Sequence, residues 1–460
     1  MRNRLLTILS AVLILTGMSS CQVYKAYERP EVKVDSLYRD VGVMQQADTT
    51  SCLANLSWRE VFTDTSLQRL IEEGLANNMD LKTARLRITE AEASLRAAKL
   101  SYYPSVAFSP QGGITSFGGN AATKSYSLPV AASWEVGVFG SLLNAKRKAK
   151  AAVEQSEAYR QAVQTQLIAT IANDYYTLLM LDRQLEISQQ TAETWRASVQ
   201  TMRDMKEDGM TNEAAVAQSE ANYRSVLANI PDLKRSIHEM ENNLCMVLGC
   251  SPRTIKRNSL KDISCASSFS VGIPLQLLGN RPDVRQAETN LKMAFYATNI
   301  ARSAFYPGIT INASAGWTNS AGEAITNPAK FLLSVVGSVV QPIFNKGKNR
   351  ANLEIAKAQQ EEAFLAFQQS LLNASAEVSN ALFMYSSAKE KTVERTEQIA
   401  ALNRSVSSTT ALFHDGTATY LEVLTAQQDL FSAQLSEVND RFEQLQATIN
   451  LYHALGGGKH

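Results

Sequence analysis

The side chains able to do covalent or metal chemistry are few and scattered. Five cysteines and four histidines stand among 460 residues. Cys52, Cys245, Cys250 and Cys265 contain no Cys-x-x-Cys pair and have no histidine pair beside them, so they match no zinc spacing. In an exported chain Cys250 could bond to Cys245 or to Cys265, and unpaired buried thiols fit the same spacing. His238, His414, His453 and His460 are far apart, and no nucleophile, base and orienting group fall at a recognisable spacing. Gly456-Gly457-Gly458-Lys459 is followed by neither Ser/Thr nor a helix, so 457–460 reads as a flexible tail and not a phosphate loop. The expectation is a protein without catalytic residues, cofactor or metal.

Cys21 differs because of what precedes it. Arg2, Arg4 and the nearly continuous apolar run Leu5 to Leu15 give residues 1–20 the organisation of an export signal. Met18-Ser19-Ser20-Cys21 resembles the lipobox of bacterial lipoproteins, with Met18 and Ser20 in place of its commonest Leu and Gly or Ala. That resemblance implies that Cys21 is the acylated first residue of the mature chain and that 21–63 is a lipid-anchored extended segment. Beyond Cys21 no apolar run approaches the ~20 residues of a transmembrane helix. A net charge of +1 offers no basic surface to nucleic acid.

The elements that must carry any function come twice. Asn78-Met79-Asp80 and Tyr103-Pro104 return as Arg281-Pro282-Asp283 and Tyr306-Pro307, an offset of 203 residues, and Asp208-Gly209 returns as Asp415-Gly416, an offset of 207. The repeats are 64–270 and 271–456, too long for solenoid units, so each is one copy of a complete structural unit. Ser141 to about Lys206 and Lys348 to about His414 contain neither Pro nor Gly. A helix of that length reaches roughly 100 Å at ~1.5 Å per residue. Phe367, Leu371, Ala374, Val378, Ala381, Tyr385 and Ala388 alternate four and three apart, as do Phe431, Leu435, Val438, Phe442, Leu445, Ile449 and Tyr452, which is the coiled-coil period. Gly209 and Gly416 supply the positive φ that ends a helix, so each repeat contains a long antiparallel helical hairpin with its tip at about 208–210 and 415–417. Pro231 falls inside the first returning helix and predicts a break between stacked segments.

Before each long helix lies a Gly- and Pro-rich segment holding two strands: about 105–113 and 125–139 in the first repeat, about 308–317 and 331–344 in the second. Thr310, Asn312 and Ser314 alternate with Ile309, Ile311 and Ala313, and such lengths suit tilted membrane-crossing strands. Tyr102, Tyr103, Trp134, Phe139, Phe305, Tyr306, Trp317 and Phe344 collect near the strand ends, where an interfacial girdle sits. Lys146, Arg147, Lys148 and Lys150, with Lys346, Lys348 and Arg350 in the second repeat, open the long helices. Cations there oppose the macrodipole, which anionic lipid headgroups at the membrane surface would offset; a solvated charged face is the alternative. Four strands cannot close a barrel, and an open edge cannot face lipid, so several chains must share one. Three would give twelve strands, and closure alone permits other counts.

Gly272-Ile273-Pro274-Leu275-Gln276-Leu277-Leu278-Gly279-Asn280-Arg281-Pro282-Asp283-Val284-Arg285-Gln286-Ala287-Glu288 strongly resembles the Ile-Pro-x-x-Leu-Leu-x-x-Arg-Pro-Asp-Ile-x-x-Ala-Glu signature of the TolC-like outer-membrane efflux lipoproteins of the OprM and NodT group. Tyr27-Glu28-Arg29-Pro30 is similar to that family's Tyr-x-x-Pro segment. The signature itself reads as a helix start, with Asn280 to cap, Pro282 in the first turn and Asp283 at the positive end. The resemblance implies a mixed α and β membrane protein, mostly α, forming a trimeric 12-stranded outer-membrane β-barrel continued by a periplasmic α-helical barrel. It implies a passive conduit for drugs or other solutes, served by a periplasmic adaptor and an inner-membrane RND-type transporter. It assigns adaptor docking to the tips at Asp208, Gly209, Asp415 and Gly416, and a pore constriction to Glu422, which keeps the family's acidic charge, and Thr425, which does not. The channel of a one-step protein secretion system, and a lipid-anchored coiled-coil scaffold without a pore, are the rival expectations.

Overall fold

The computed structural model describes residues 24, 26–30, 57–116, 118, 119, 121–263, 281–318 and 330–457. The export signal, Cys21, most of the 21–63 segment, Cys52, Cys265, Gly272 to Asn280 and the end of the tail lie outside the described residues. The elements run α1 (Trp58–Val61), α2 (Thr65–Asn77), α3 (Met79–Leu100), β1 (Ser105–Phe108), β2 (Gln111–Thr115), β3 (Thr123–Val136), α4 (Ser141–Glu207) and α5 (Glu213–Leu248). The same order then returns as α6 (Pro282–Ser303), β4 (Gly308–Thr318), β5 (Lys330–Val340), α7 (Lys348–His414) and α8 (Tyr420–Ala454). The long helices α4 and α7 are each 67 residues and unbroken, as the absence of Gly and Pro requires.

Three expectations change. The strand expected over 105–113 is two short strands, because Pro110 has no N–H to give a ladder; β1 and β2 both pair with β3. β3 and β5 end at Val136 and Val340, short of Phe139 and Phe344. Pro231 does not break α5, which runs 36 residues through it. One forfeited backbone bond is outweighed by the turns on either side and by burial of Val226, Leu244 and Leu248 along the same helix.

Two compact units divide the described residues, and each draws on both repeats. One comprises those within Met1–Val32, Arg87–Glu157 and Gln286–Gln368; the other those within Lys33–Leu86, Ala158–Arg285 and Gln369–His460. The first holds a single antiparallel sheet of order β1-β3-β4-β5, with β2 beside β3. β3, β4 and β5 lie in unbroken register, from Val136 against Ile309 to Ser127 against Thr318, and from Gly308 against Val340 to Thr318 against Lys330.

The second unit has its core where the short helices meet the long ones. Phe62, Leu67, Ile71, Leu81, Ile168, Ile171, Leu178 and Tyr452 are fully buried there, each contributing roughly 1.5–3 kcal/mol. The buried Asp64 carboxylate is paired: it caps α2 through Ser66 N at 2.7 Å and accepts from Tyr175 Oη at 2.6 Å and Asn258 Nδ2 at 2.9 Å. The expected seam of the second hairpin is present, with Leu371, Ala374, Val378, Ala381 and Ala388 of α7 and Phe431, Val438, Leu445 and Ile449 of α8 all buried. Asp440, 2% exposed, is held there by Lys391 at 2.8 Å and Arg395 at 2.7 Å. A buried carboxylate without such partners would be costly.

Candidate functional site

The sheet sorts its side chains by chemistry. Register places Val106, Phe108, Leu128, Val130, Trp134, Ile309, Ile311, Trp317, Phe331, Leu333, Val335 and Val339 on one face. Ser105, Ser127, Ser133, Glu135, Thr310, Asn312, Ser314, Thr318, Ser334 and Ser338 share the other with the exposed Leu332, Val336 and Val340, and the Thr310 and Ser338 hydroxyls bond across strands at 2.6 Å. The apolar face is not a covered core. Val106, Phe108, Phe331, Leu333, Val335 and Val339 are each at least 60% exposed. An apolar exterior this large belongs against something apolar. β1 and β2 form one outer edge and β5 the other, neither paired further among the described residues.

Aromatic rings mark both ends of these strands. At the end that joins the helices, Phe139 stacks on Tyr306 at 5.2 Å and Trp134 Nε1 donates to the Tyr102 carbonyl at 3.0 Å. At the other end Trp317 meets Phe331 edge-on at 5.7 Å. The basic residues lie at the helix end: Lys146 sits 5.8 Å from the Tyr102 ring centre, and Lys148, Lys346, Lys348 and Arg350 are exposed, with Arg147 half-buried. Tyr24 packs there too; a Cβ on Gly140, at the turn into α4, would come within 2.9 Å of its ring.

The two tips are built alike. At the end of α4, Met210 N donates to Met205 O at 2.8 Å and Gly209 N to Lys206 O at 3.0 Å, with Gly209 at φ +70°. At the end of α7, Thr417 N reaches Leu412 O at 2.9 Å and Gly416 N reaches Phe413 O at 3.0 Å, with Gly416 at φ +72°. This is the Schellman pattern in both repeats. Asp208, Gly209, Asp415 and Gly416 are exposed, and open space surrounds both glycines. Each returning helix is capped, α5 by Asn212 through Ala215 N at 3.0 Å and α8 by Thr419. Tyr420 Oη meets Ser219 Oγ at 3.0 Å, which joins the start of α8 to α5.

Glu422 and Thr425 are both exposed. The Glu422 carboxylate folds back on its own helix end, accepting from Thr419 N at 2.7 Å and Thr419 Oγ1 at 3.2 Å. Sequence reading missed this capping box, although the Thr-x-x-Glu spacing announces it. Thr425 Oγ1 donates to Leu421 O at 2.9 Å.

The family signature performs a task that spacing does not reveal. Arg281 is 3% exposed and donates to Ala454 O at 2.7 Å, to Asp283 at 3.0 and 2.8 Å and to Glu377 at 2.6 Å. It therefore ties the start of α6 to the end of α8. In the first repeat Asn78 occupies the equivalent place: its Nδ2 donates to Val247 O at 2.8 Å while its Oδ1 caps Leu81 N at 2.9 Å. The junction between stacked helices expected at Pro231 thus lies at Asn78 and Val247. A cavity of about 800 Å³ opens here, lined by Asn78, Met79, Val163, Leu167, Arg281, Glu377 and His453. Burial, with the Arg281 cation adding to it, holds the His453 imidazole below its usual range. Burial opposes ionisation of Asp283 as well, but the Arg281 guanidinium outweighs it and keeps that carboxyl below the usual carboxylate range.

Comparison with known proteins gives the same picture from another side. The sequence model described as "Outer membrane efflux protein" matches residues 70–250 and again residues 273–457, once in each repeat. The chain is 28% identical over 457 residues to the cation efflux system protein CusC of Escherichia coli strain K12, covering 97% of this chain and 98% of that protein. It is 27% identical over 470 residues to the toluene efflux pump outer membrane protein TtgC of Pseudomonas putida, covering 100% of this chain and 96% of that one. A crystal structure of CusC superposes with a TM-score of 0.85 at 28% identity, over 95% of this chain and 100% of that one.

Proposed function

The chain belongs to the outer membrane efflux protein family and is an outer-membrane efflux channel; from that premise we propose that three copies share one twelve-stranded barrel, continued into the periplasm by their helical hairpins. The observation that carries the reading is the sheet, with one continuous apolar face, an opposite face rich in Ser, Thr and Asn, and two edges left open among the described residues. In lipid, unpaired edge amides and carbonyls cost several kcal/mol each. β1 with β2 occupies one lane and β3, β4 and β5 the other three, so lane direction alternates from edge to edge. The β5 edge of one copy can therefore meet the β1 edge of the next antiparallel, and the ring closes on copies alone.

The dimensions agree. Eleven residues of β4 span roughly 37 Å at ~3.4 Å each, which at a tilt of about 45° stands roughly 26 Å, the height of an outer-membrane barrel's apolar band. The aromatic pairs at the two strand ends form its girdles, and Lys146, Arg147, Lys148, Lys346, Lys348 and Arg350 face headgroups at the periplasmic surface. Tyr24, three residues after Cys21, packs at that same end. An acyl chain on Cys21 would add a lipid anchor to the barrel.

The exposed tips at Asp208, Gly209, Asp415 and Gly416 serve in this reading as docking points for a periplasmic adaptor protein, which couples the channel to an inner-membrane transporter of RND type. Glu422 has two roles in this reading: it closes the first turn of α8 and brings one carboxylate per copy to the narrow end of the tunnel. Both named relatives belong to efflux systems, which favours solute efflux over one-step protein secretion. Their names refer to a cation and to toluene at nearly equal identity, so cargo choice belongs to the pump and the channel is a passive conduit. The test is conductance of the purified protein in planar bilayers, with light scattering for mass. Channels from a particle of three chains support the reading, and a monomer that conducts nothing, even as Glu422→Ala, overturns it.

A further inference from the structure

Four helices among the described residues end in the same Schellman turn, and one of them brings two thiols together. At the end of α5, Cys250 N donates to Cys245 O at 3.0 Å and Gly249 N to Met246 O at 3.1 Å, with Gly249 at φ +72°. In that motif the side chains of the first and sixth residues meet over the turn. The equivalent turn of the second repeat shows the contact directly: Gly457 N bonds Tyr452 O at 3.0 Å, and a Cβ on Gly457 would fall within 2.3 Å of the Tyr452 ring. Cys245 and Cys250 stand 207 residues before Tyr452 and Gly457, so the pair of positions that touch there are both cysteines here. Both are free thiols in the structure, Cys245 buried and Cys250 half-buried.

We propose that Cys245 and Cys250 form a disulfide in the mature protein, closing the C-terminal turn of α5 where Gly249 abuts Asn77. An outer-membrane protein matures in an oxidising compartment, where protein disulfides of the periplasmic oxidation system are the electron acceptors. Cys250, the more accessible thiol, attacks such a disulfide as its thiolate and forms a mixed disulfide, releasing one acceptor thiol. Cys245 then loses its proton and displaces the second. Two protons and two electrons leave the pair, and the external disulfide becomes two thiols.

Surroundings suit a bond that persists once made. Cys245 is 0% exposed and its thiol donates to the Arg253 carbonyl at 3.5 Å, so a reductant reaches the bond only from the Cys250 side. Attack there expels Cys245 first, and Cys250 leaves only in the second exchange, where burial and the neighbouring Cys245 thiol, which push the Cys250 thiol up, make it a poor leaving group. The turn itself matters to packing, because a Cβ on Gly249 would come within 2.9 Å of the Asn77 carbonyl oxygen.

The experiment uses full-length protein, exported with its own leader and recovered from outer membranes without reductant. Acid-quenched, denatured and alkylated with iodoacetamide, it is then cut with trypsin, which leaves both cysteines in the single peptide Ser236–Arg253. The bonded peptide is unlabelled and lighter by two hydrogen atoms, and takes two labels only after reduction. In Cys250→Ser the same peptide takes one label without reduction. Two labels on the unreduced wild-type peptide, or its linkage to a peptide holding Cys52 or Cys265, would overturn the proposal, as would an unlabelled Cys245 in Cys250→Ser.

Discussion

Replacing Arg281 by Met asks whether the family signature is a structural tie. Methionine keeps most of the buried stem and removes the guanidinium, so the loss is chiefly polar. The bond to the Ala454 carbonyl, charge-assisted at 2.7 Å, is worth about 1.5–3 kcal/mol. Asp283 and Glu377 have side chains 47% and 52% exposed, so each pair adds at most ~1 kcal/mol after screening. The recovered cost of burying the guanidinium roughly offsets those two half-exposed pairs, which leaves the carbonyl bond to set the scale. The balance is a destabilisation of about 2 kcal/mol, enough to lower the unfolding temperature by several degrees. Thermal unfolding in detergent, followed by intrinsic fluorescence, measures it. The pH dependence adds a second signature. His453 has a folded pKa below its unfolded value of ~6.5, so the fold binds fewer protons and stability is full above that value and falls as pH drops through and below it. Arg281→Met removes one cause of the depression, so the acid-side loss should shrink. A variant that melts with the wild type, at pH 7 and on the acid side alike, would refute the tie and make Arg281 a recognition residue.

Further outcomes are expected elsewhere. Gly416→Val forces a β-branched residue to φ +72° in open space, a local cost of about 1–2 kcal/mol; cross-linking to the adaptor and export in a deletion host should both fall, while Gly416→Asn retains most of each. Glu422→Gln keeps a side chain able to close the capping box and removes one charge per copy, so stability should hold while cation preference in bilayers decreases. Glu422→Ala should in addition destabilise the start of α8 by about 1 kcal/mol, and unchanged ion selectivity in both variants would remove Glu422 from the constriction. Cys21→Ser should abolish incorporation of labelled palmitate, and unaltered labelling would show that the anchor lies elsewhere.

Much of the architecture can be read from residue order, because it depends on local rules. The long helices follow from stretches without Gly or Pro, their seams from four-three spacing, and the tips from the Asp-Gly pairs that end those stretches. The two faces of the sheet follow from alternation, visible in Ile309 to Ser314. Contacts distant in sequence are not legible. The Arg281 bond to Ala454 crosses 173 residues, and that of Asn78 to Val247 crosses 169. Neither has a local signature, so spacing alone points to Pro231 for the junction that these pairs in fact form. Pro110 does carry the sign of a broken strand, and Thr419 with Glu422 that of a capping box; both are rules of a few residues. Pore and docking roles depend on neighbours outside one chain, which no spacing within it encodes.

The shared barrel is most directly tested by electron cryomicroscopy of the protein in lipid nanodiscs. The account predicts three copies about one axis, twelve strands in the bilayer, and β5 of each chain bonded to β1 of the next. A ring of any other strand number, or a sheet whose edges are satisfied within its own chain, would contradict it.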